Sequence, residues 1–430
     1  MAQPNPSAAI RIGVIGAGVS GLRAASSSPP PDSQLGLPID LGASWIHGTR
    51  GNPLVQLVEE AKATTVACGA LTSICDQDGN WLDPASARRY YEEVWEILEK
   101  AMEWSRKNCE TISSEARMMD FFMEEVRKRA ESRGVEEYEN LWLDAGLEGD
   151  NLFVASTFRP ILDNLLSTVS DSVTLLLNSE VVRFESDGLG KVEVQLLNGD
   201  RVSFDSVIVT APLGWLKRNQ DAFIPPLPPR ISTAISSLGF GNLDKVFIKF
   251  PTAFWDPSSP QANGSHDAGA DGSPIPSFFP IESLFLCPNY AAESNPGRHV
   301  TGLVRGMPHD SEEYCQILDD VFRPYYSRLP GYNPANPGCK PSQFLSTDWQ
   351  SDKFAGYGSF CNQPVGSGNC EDHQKALREG IGGGHGIWFA GEHASPPGGL
   401  GTVAGAYWSG EEVARRVAHH HGGSAEGSLS

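Results

Sequence analysis

Residues 10–21 read Ile10 Arg11 Ile12 Gly13 Val14 Ile15 Gly16 Ala17 Gly18 Val19 Ser20 Gly21. The first six are a short β-branched run suited to a buried parallel strand. The rest places Gly16, Gly18 and Gly21 at the spacing of a dinucleotide-binding turn, with a helix expected from about Val19. Two glycines permit the tight turn and a close backbone approach, and the helix N-terminus would face a pyrophosphate. The spacing alone is weak evidence; its place directly after an apolar strand favours a nucleotide over an ordinary glycine-rich turn. A ribose-binding carboxylate should follow about 20 residues on, at the end of a second strand. Instead the chain runs into Ser26 Ser27 Ser28 Pro29 Pro30 Pro31, and three prolines cannot sit inside a helix. The acids nearby are Asp32 and Asp40.

The wider composition narrows the function classes. Among 430 residues, 33 Lys and Arg face 53 Asp and Glu, a net charge of −20 that argues against nucleic acid as a partner. With 40% hydrophobic residues the chain reads as globular, with length for two or three domain-sized units. No apolar run approaches the ~18 residues of a membrane span, and Met1 to Ala9 lacks the basic and apolar parts of a signal peptide. The expectation is a cytoplasmic protein with no membrane partner. Eight scattered cysteines show no CxxC spacing, and His419 His420 His421 reads as a flexible tract, so no metal site is expected.

Periodicity sets out the remaining elements. Tyr91, Val94, Trp95, Leu98 and Met102 recur at helical steps, and amphipathic helices are expected between Asp83 and about Ser132. From Val173 to Thr210 the period drops to two, with strands at Leu175–Leu177, Val181–Glu185, Val192–Leu197 and Arg201–Asp205. The last two are joined by Asn198 Gly199, a strong hairpin signal. Further strands are expected at Lys245–Phe250, His299–Val304 and Ile387–Ala390, a helix at Ser311–Tyr326, and a surface loop at Asp256–Ser273.

Trp388 Phe389 Ala390 Gly391 Glu392 His393, followed by Gly401 Thr402 Val403 Ala404 Gly405 Ala406, resembles the flavin-containing amine oxidases. Four more blocks resemble that family's landmarks in its order: Asp40 to Gly48, Thr210 to Gly214, Gly239 to Phe250, and Thr347 Asp348 Trp349 through Phe360. Within the family the chain looks similar to polyamine oxidases, with the histone lysine demethylases as a related branch.

The resemblance implies an α/β fold with a discontinuous, Rossmann-like FAD-binding domain at residues 1–52, 151–215 and 380–418. A substrate-binding domain of mixed sheet and helices would take 53–150 and 216–379, and 419–430 would be a disordered tail. The reaction implied is hydride transfer from the carbon beside an amine to the flavin, imine hydrolysis, and reoxidation by molecular oxygen to give peroxide. Its substrate would be a small cationic amine or polyamine. FAD would be held non-covalently, because Ser359 or its neighbour stands where monoamine oxidases attach flavin through cysteine, with Cys361 displaced.

Cofactor contacts implied by the resemblance are Gly16, Gly18, Gly21, Ala43, Ser44, Trp45, Val181, Thr210, Ala211, Pro212, Trp349, Gly391, Glu392, Gly401, Thr402 and Val403. Val181 would read adenine through its main chain, and Glu392 would accept a hydrogen bond from the ribityl chain or ribose. Gly401 Thr402 Val403 would open a helix where the reduced flavin gathers charge. On the catalytic side, Lys245 would hold a water against flavin N5, and Trp45 and Trp349 would pack beside the isoalloxazine. Phe360 would wall an amine cage, and His47 would set how the amine lies. Each type has an ordinary meaning too: a helix cap, a strand lysine, core aromatics, a structural histidine.

Two stretches depart from the family. Between Leu22 and Leu35 the first helix, the second Rossmann strand with its acid, and a Gly Gly Arg segment are replaced by Ser26 to Pro31, which reads as a deletion. A second gap falls near Leu141 Trp142 Leu143. Loss of a central strand exposes its neighbours' edges and removes a cofactor carboxylate. The alternative function is therefore a pseudo-oxidase that no longer retains FAD and serves as an interaction protein. If the acidic surface steers a cationic substrate, kcat/KM for a polyamine falls as salt rises; a flat response between low and moderate ionic strength removes that role.

Overall fold

The computed structural model of the protein describes residues 10–16, 39–68, 82–108, 111–112, 118–133, 151–167, 173–255, 265–268, 274–276, 300–329, 331–364, 369–381 and 385–422. The architecture is mixed α/β, with several separate sheets. One of them is parallel: Ser206–Val209 lies between Ile12–Ile15 and Ile387–Phe389, with Gly13 opposite Val207 and Trp388 opposite Ile208. All four residues of the central strand are buried, which is why it reads as Ser-Val-Ile-Val without alternation. On the outer strand, by contrast, Ile12 is 44% and Val14 45% exposed. Among the described residues no strand pairs with that outer edge.

The helix Val403–His420 is tied to this sheet at its far end. Ser206 Oγ and His421 Nε2 lie 2.9 Å apart, and the Trp388 and His420 rings meet edge-on at 5.7 Å. His419 to His421 therefore belong to a docked helix end, not to the disordered tail expected from composition.

A mixed sheet carries the main core, antiparallel except where Val181–Ser186 pairs in parallel with Phe223–Ile224. Its order is Arg201–Phe204, Val192–Leu196, Val181–Ser186, Phe223–Ile224, and the Asn198 Gly199 hairpin forms as expected, with Gly199 at φ 92°. Phe184 stacks on Phe223 at 4.9 Å and meets Trp215 edge-on. Helix Pro229–Ser237 adds the fully buried Ile231, Ala234 and Ile235, and helix Cys370–Arg378 adds Leu377. A smaller sheet of Trp45–Ile46, Asn151–Val154 and Thr65–Cys68 shares a core with helices Pro53–Glu60 and Arg159–Ser167 through Ile46, Leu54, Ile161 and Leu165.

Two of the remaining ladders flank the candidate site. Val246–Lys249 pairs with Gln343–Ser346, and Gly239–Gly241 with Phe360–Asn362. Helix Glu312–Tyr326, capped by Ser311, closes over the first ladder: Tyr314 donates to Ser346 Oγ at 2.9 Å and accepts from Ser346 N. The helices expected between Asp83 and Ser132 are Pro84–Asn108 and Met118–Arg133. Among the described residues no helix is long and apolar enough to cross a membrane.

Three local expectations fail for physical reasons. Leu175–Leu177 has no ladder partner among the described residues, is exposed, and is followed by Asn178 with φ 54°, so alternation there makes no strand. His299–Val304 contains a helical turn, Val300–Leu303; so short an apolar run fits either element, and Val304 is drawn into the cluster of Tyr314, Leu318 and Phe344. Within the stretch expected as a loop, Ser265–Ala268 pairs with Pro274–Pro276. The helix near Val19, Asp32 and the gap near Trp142 lie outside the described residues, as do Gly18 and Gly21.

Gly405 lies inside the helix Val403–His420, where alanine would ordinarily be about 1 kcal/mol better. A Cβ there would overlap Gly399 O. Gly405→Ala should therefore lower stability, by about 1–3 kcal/mol in a urea melt, whereas Gly302→Ala, which meets nothing within 4 Å, should not. A Gly405→Ala protein as stable as the parent contradicts the packing.

Candidate active site

The parallel sheet brings three chain segments to one edge. Ile15 leads into Gly16, Val209 into Thr210, and Phe389 into Ala390 and Gly391. Gly16 has φ 114°, and a Cβ there would overlap Thr210 Oγ1, which donates to Ile15 O at 3.0 Å. Pro212 O accepts from Trp215 N, starting the helix Leu213–Arg218 directly after Thr210 and Ala211. Gly391, at φ 143°, donates its amide to Ser409 Oγ at 2.8 Å. The carboxyl edge of a parallel sheet is where open α/β folds place ligands.

Glu392 follows Gly391 on a 3₁₀ turn, Glu392–Ala394. Its Oε1 accepts from Cys361 N at 3.2 Å and its Oε2 from Gly401 N at 2.9 Å. Burial raises its pKa, and the bonds to Cys361 and Gly401 pull it back. Sequence reasoning assigned this carboxylate to a cofactor hydroxyl; the fold uses both of its oxygens to join the strand Phe360–Asn362 to the loop at Gly401. Next in line, Thr402 Oγ1 accepts from Gly405 N and donates to Gly399 O, each at 2.9 Å, and so caps the helix that Val403 opens. Phe360, 36% exposed, borders the same loop: a Cβ on Gly401 would come within 3.1 Å of its ring.

A second cluster forms around Lys245, just before the strand Val246–Lys249. Its Nζ donates to Ser44 Oγ at 2.9 Å, to Asp40 O at 3.3 Å and to Gly42 O. The Asp40 carboxylate accepts from Phe158 N at 2.9 Å. Burial lifts its pKa to about 6, against the opposing pull of the Phe158 amide and the Lys245 charge. Ala43 is exposed within this segment, and Trp45 turns into the small sheet, edge-on to Phe153 at 5.2 Å. His47 O accepts from Asn52 Nδ2, which holds the turn leading into the helix Pro53–Glu60.

Sequence reasoning missed Asp244. Its Oδ1 accepts from Trp349 N at 3.1 Å and from Thr347 Oγ1 at 3.0 Å, while Thr347 Oγ1 accepts from Lys245 N at 2.8 Å. One carboxylate thus sets the position of both Lys245 and Trp349. The only sequence signal was an acid directly before the lysine. Ser359 bridges the two clusters: its Oγ accepts from Leu243 N at 2.7 Å and its N donates to Gly241 O. Val181 is built into the mixed sheet, opposite Leu196 on an antiparallel neighbour, and packs on the core of Phe184.

The fold also joins residues that spacing kept apart. The donor atoms of Cys361, Glu392 and His393 all lie within 4.8 Å of one another. His393 is 1% exposed, and its Nε2 has no hydrogen-bond partner among the described residues. Burial lowers its pKa to about 4 and pushes the Cys361 thiol well above its usual range.

The chain is similar to probable polyamine oxidase 4 of Arabidopsis thaliana, 25% identical over 294 residues, 56% of this chain and 58% of the relative. It is similar to the Arabidopsis thaliana protein FLOWERING LOCUS D, 26% identical over 412 residues, 90% of this chain and 49% of the relative. Lysine-specific histone demethylase 2 of Homo sapiens is 23% identical over 417 residues, 89% of this chain and 48% of the relative. The chain spans about half the length of these curated relatives. A family model described as flavin containing amine oxidoreductase matches residues 98–418, a range that takes in Lys245, Trp349 and Glu392. The chain belongs to the flavin containing amine oxidoreductase family.

Proposed function

We propose that the chain is an FAD-dependent amine oxidase acting on a small cationic amine, with polyamines as the substrate class. The observation that carries this reading is the Lys245 cluster, in which one ammonium is anchored on the Asp40–Ser44 segment and tied through Asp244 to Trp349. The residues present suit a non-covalent FAD. At Gly16 and Gly401 a side chain would strike Thr210 or Cys361, so bare backbone lines the edge next to the N-terminus of the helix Val403–His420. Backbone donors and a helix N-terminus favour anionic groups such as pyrophosphate. The chemistry a bound flavin supplies is acceptance of a hydride from the carbon beside the amine nitrogen, with oxygen as the final acceptor.

The chain's own groups do the rest. An ammonium has three N–H donors, and the acceptors on Asp40, Gly42 and Ser44 match that number. To hold a water, Lys245 would exchange one of them, and the 3.3 Å contact to Asp40 O is the longest of the three. Ionised Asp40 beside the lysine, together with the net charge of −20, favours a cationic ligand. The reading keeps the division into a cofactor domain (1–52, 151–215, 380–418) and a substrate domain (53–150, 216–379), with a cytoplasmic location.

A second reading has its own support. Ile12 and Val14 lie exposed on the outer strand of the parallel sheet, as expected if the second Rossmann strand is deleted. Such a chain would be a pseudo-oxidase with little hold on FAD.

One experiment separates the two. The purified protein is incubated with FAD and desalted, its visible spectrum and circular dichroism are taken, and spermine, spermidine and a methylated lysine peptide are added under anaerobic conditions. The amine oxidase retains flavin and bleaches it with a polyamine; a folded protein without flavin sinks the enzyme reading. In flavin-loaded protein Lys245→Met should slow bleaching, and an unchanged rate removes the lysine from the chemistry.

The Asp40 pKa makes a separate prediction. Its folded value of about 6 is above the ordinary 3.8, so its contribution to stability is full below pH 3.8 and lost as pH rises through about 6. Asp40→Asn, which keeps an acceptor for Phe158 N, should gain stability relative to the parent over that window. Urea midpoints at several pH values test this, and a pH-independent difference contradicts it.

A further inference from the structure

We propose that Arg218 is a positioning residue: it holds the turn 352–358, and with it Trp349 and Phe360 beyond the turn's two ends, against the segment Pro212–Gly214. The sequence marks this place only by Lys217 Arg218, two cations in the last turn of the helix Leu213–Arg218. Their ordinary meaning is a favourable charge at a helix C-terminus.

The backbone of Tyr357 asks for more than that. It sits at φ 62°, in the left-handed region, where a bulky side chain is an outlier that persists only when its surroundings hold it. Neighbouring Gly356, at φ 78°, takes the same region freely. Three sets of contacts hold Tyr357. Its amide donates to Asp352 O at 2.9 Å, while the Asp352 carboxylate accepts from Phe354 N at 2.7 Å and Ala355 N at 3.1 Å, so the turn closes on itself. Gly356 is pressed on the start of the helix Leu213–Arg218: a Cβ on Gly214 would overlap Gly356 O, and one on Gly356 would crowd Trp215 N. The Arg218 guanidinium lies over the Tyr357 ring at 4.6 Å.

The same guanidinium donates to Gly214 O at 3.3 Å and to Gly356 O at 3.4 Å. One side chain thus grips its own helix and a turn 138 positions away. A planar fork of N–H donors can serve an aromatic face and two carbonyls together, which a lysine ammonium does not match. That helix starts directly after Thr210 and Ala211, at the carboxyl edge of the parallel sheet. At one end of the turn Asp352 N donates to Trp349 O at 3.2 Å, and at the other Ser359 N, next to Phe360, donates to Gly241 O. Arg218 therefore couples the two aromatic side chains to the cofactor edge. Its effect on amines rests on the oxidase reading; the clamp itself does not.

The test uses the full chain as parent, Arg218→Gln, Tyr357→Gly and Tyr357→Phe. Lys353, half-exposed within the turn, is a trypsin site, and limited digestion read by mass spectrometry for fragments beginning at Phe354 reports opening of the turn without flavin. Arg218→Gln should be cut there roughly two- to fivefold faster, the change in open population that loss of one exposed cation–π contact gives. Tyr357→Phe, which keeps the ring, should match the parent. Flavin-loaded protein is then compared on spermine and benzylamine. A turn released from the cofactor edge widens the space beside the aromatic pair, so the kcat/KM ratio should shift toward the ring-bearing amine, through KM more than kcat. Cutting at the parental rate in Arg218→Gln overturns the clamp, and faster cutting with an unchanged amine ratio overturns its positioning role. If Arg218→Gln fails to fold, Tyr357→Gly, which removes the ring from the same contact, takes its place. A chain that holds no flavin fails the oxidase reading on its own, and the digestion then upholds or overturns the clamp by itself.

Discussion

The Glu392 carboxylate holds together parts of the chain that no local rule would join. One oxygen takes the amide of Cys361, in a strand paired with Gly239–Gly241, and the other takes the amide of Gly401, in the loop that launches the last long helix. Either amide left without an acceptor in the interior would cost on the order of 1–3 kcal/mol. The carboxylate stands directly after the parallel sheet, so its position follows from Ile387–Phe389 pairing with Ser206–Val209. That sheet, the helix cap at Thr402 and the Phe360 strand therefore form one mechanical unit. The Lys245 segment is coupled to it through Ser359.

What the sequence revealed was whatever local pattern decides. The β-branched run Ile12–Ile15, the Asn198 Gly199 turn and the helical period of Ser311–Tyr326 each carry their own signal, and each forms. Leu175–Leu177 shows where this ends, since alternation without a ladder partner is only an exposed apolar segment. The tract His419–His421 looked like a tail by composition, yet Ser206 and Trp388 dock it. Ser206 comes from some 200 positions away, and a partner at that distance leaves no mark in the local pattern.

Which side chains the fold joins was harder to read than the sequence blocks they lie in. Lys245, Ser44 and Trp349 were read from family-like blocks, and the fold does link them. The linker, Asp244, went unnoticed because an acid before a lysine in sequence is commonplace, and its role depends on Thr347 and Trp349 arriving from a hundred residues on. Likewise Cys361 shares no spacing with Glu392 and His393, so only the folded chain reveals that their donors converge.

The parallel sheet also governs how the molecule must be assembled. Thr210 bonds to Ile15 across 195 positions, and the third strand begins only at Ile387. During synthesis at about 5–20 residues per second, Ile12–Ile15 waits roughly 10 to 40 seconds for its partner strand to be made. Throughout that interval its apolar side chains and unpaired amides are open to any other chain nearby. Closing so long a loop delays the pairing, so the edge of this strand is the part of the chain that must be kept from other chains for longest.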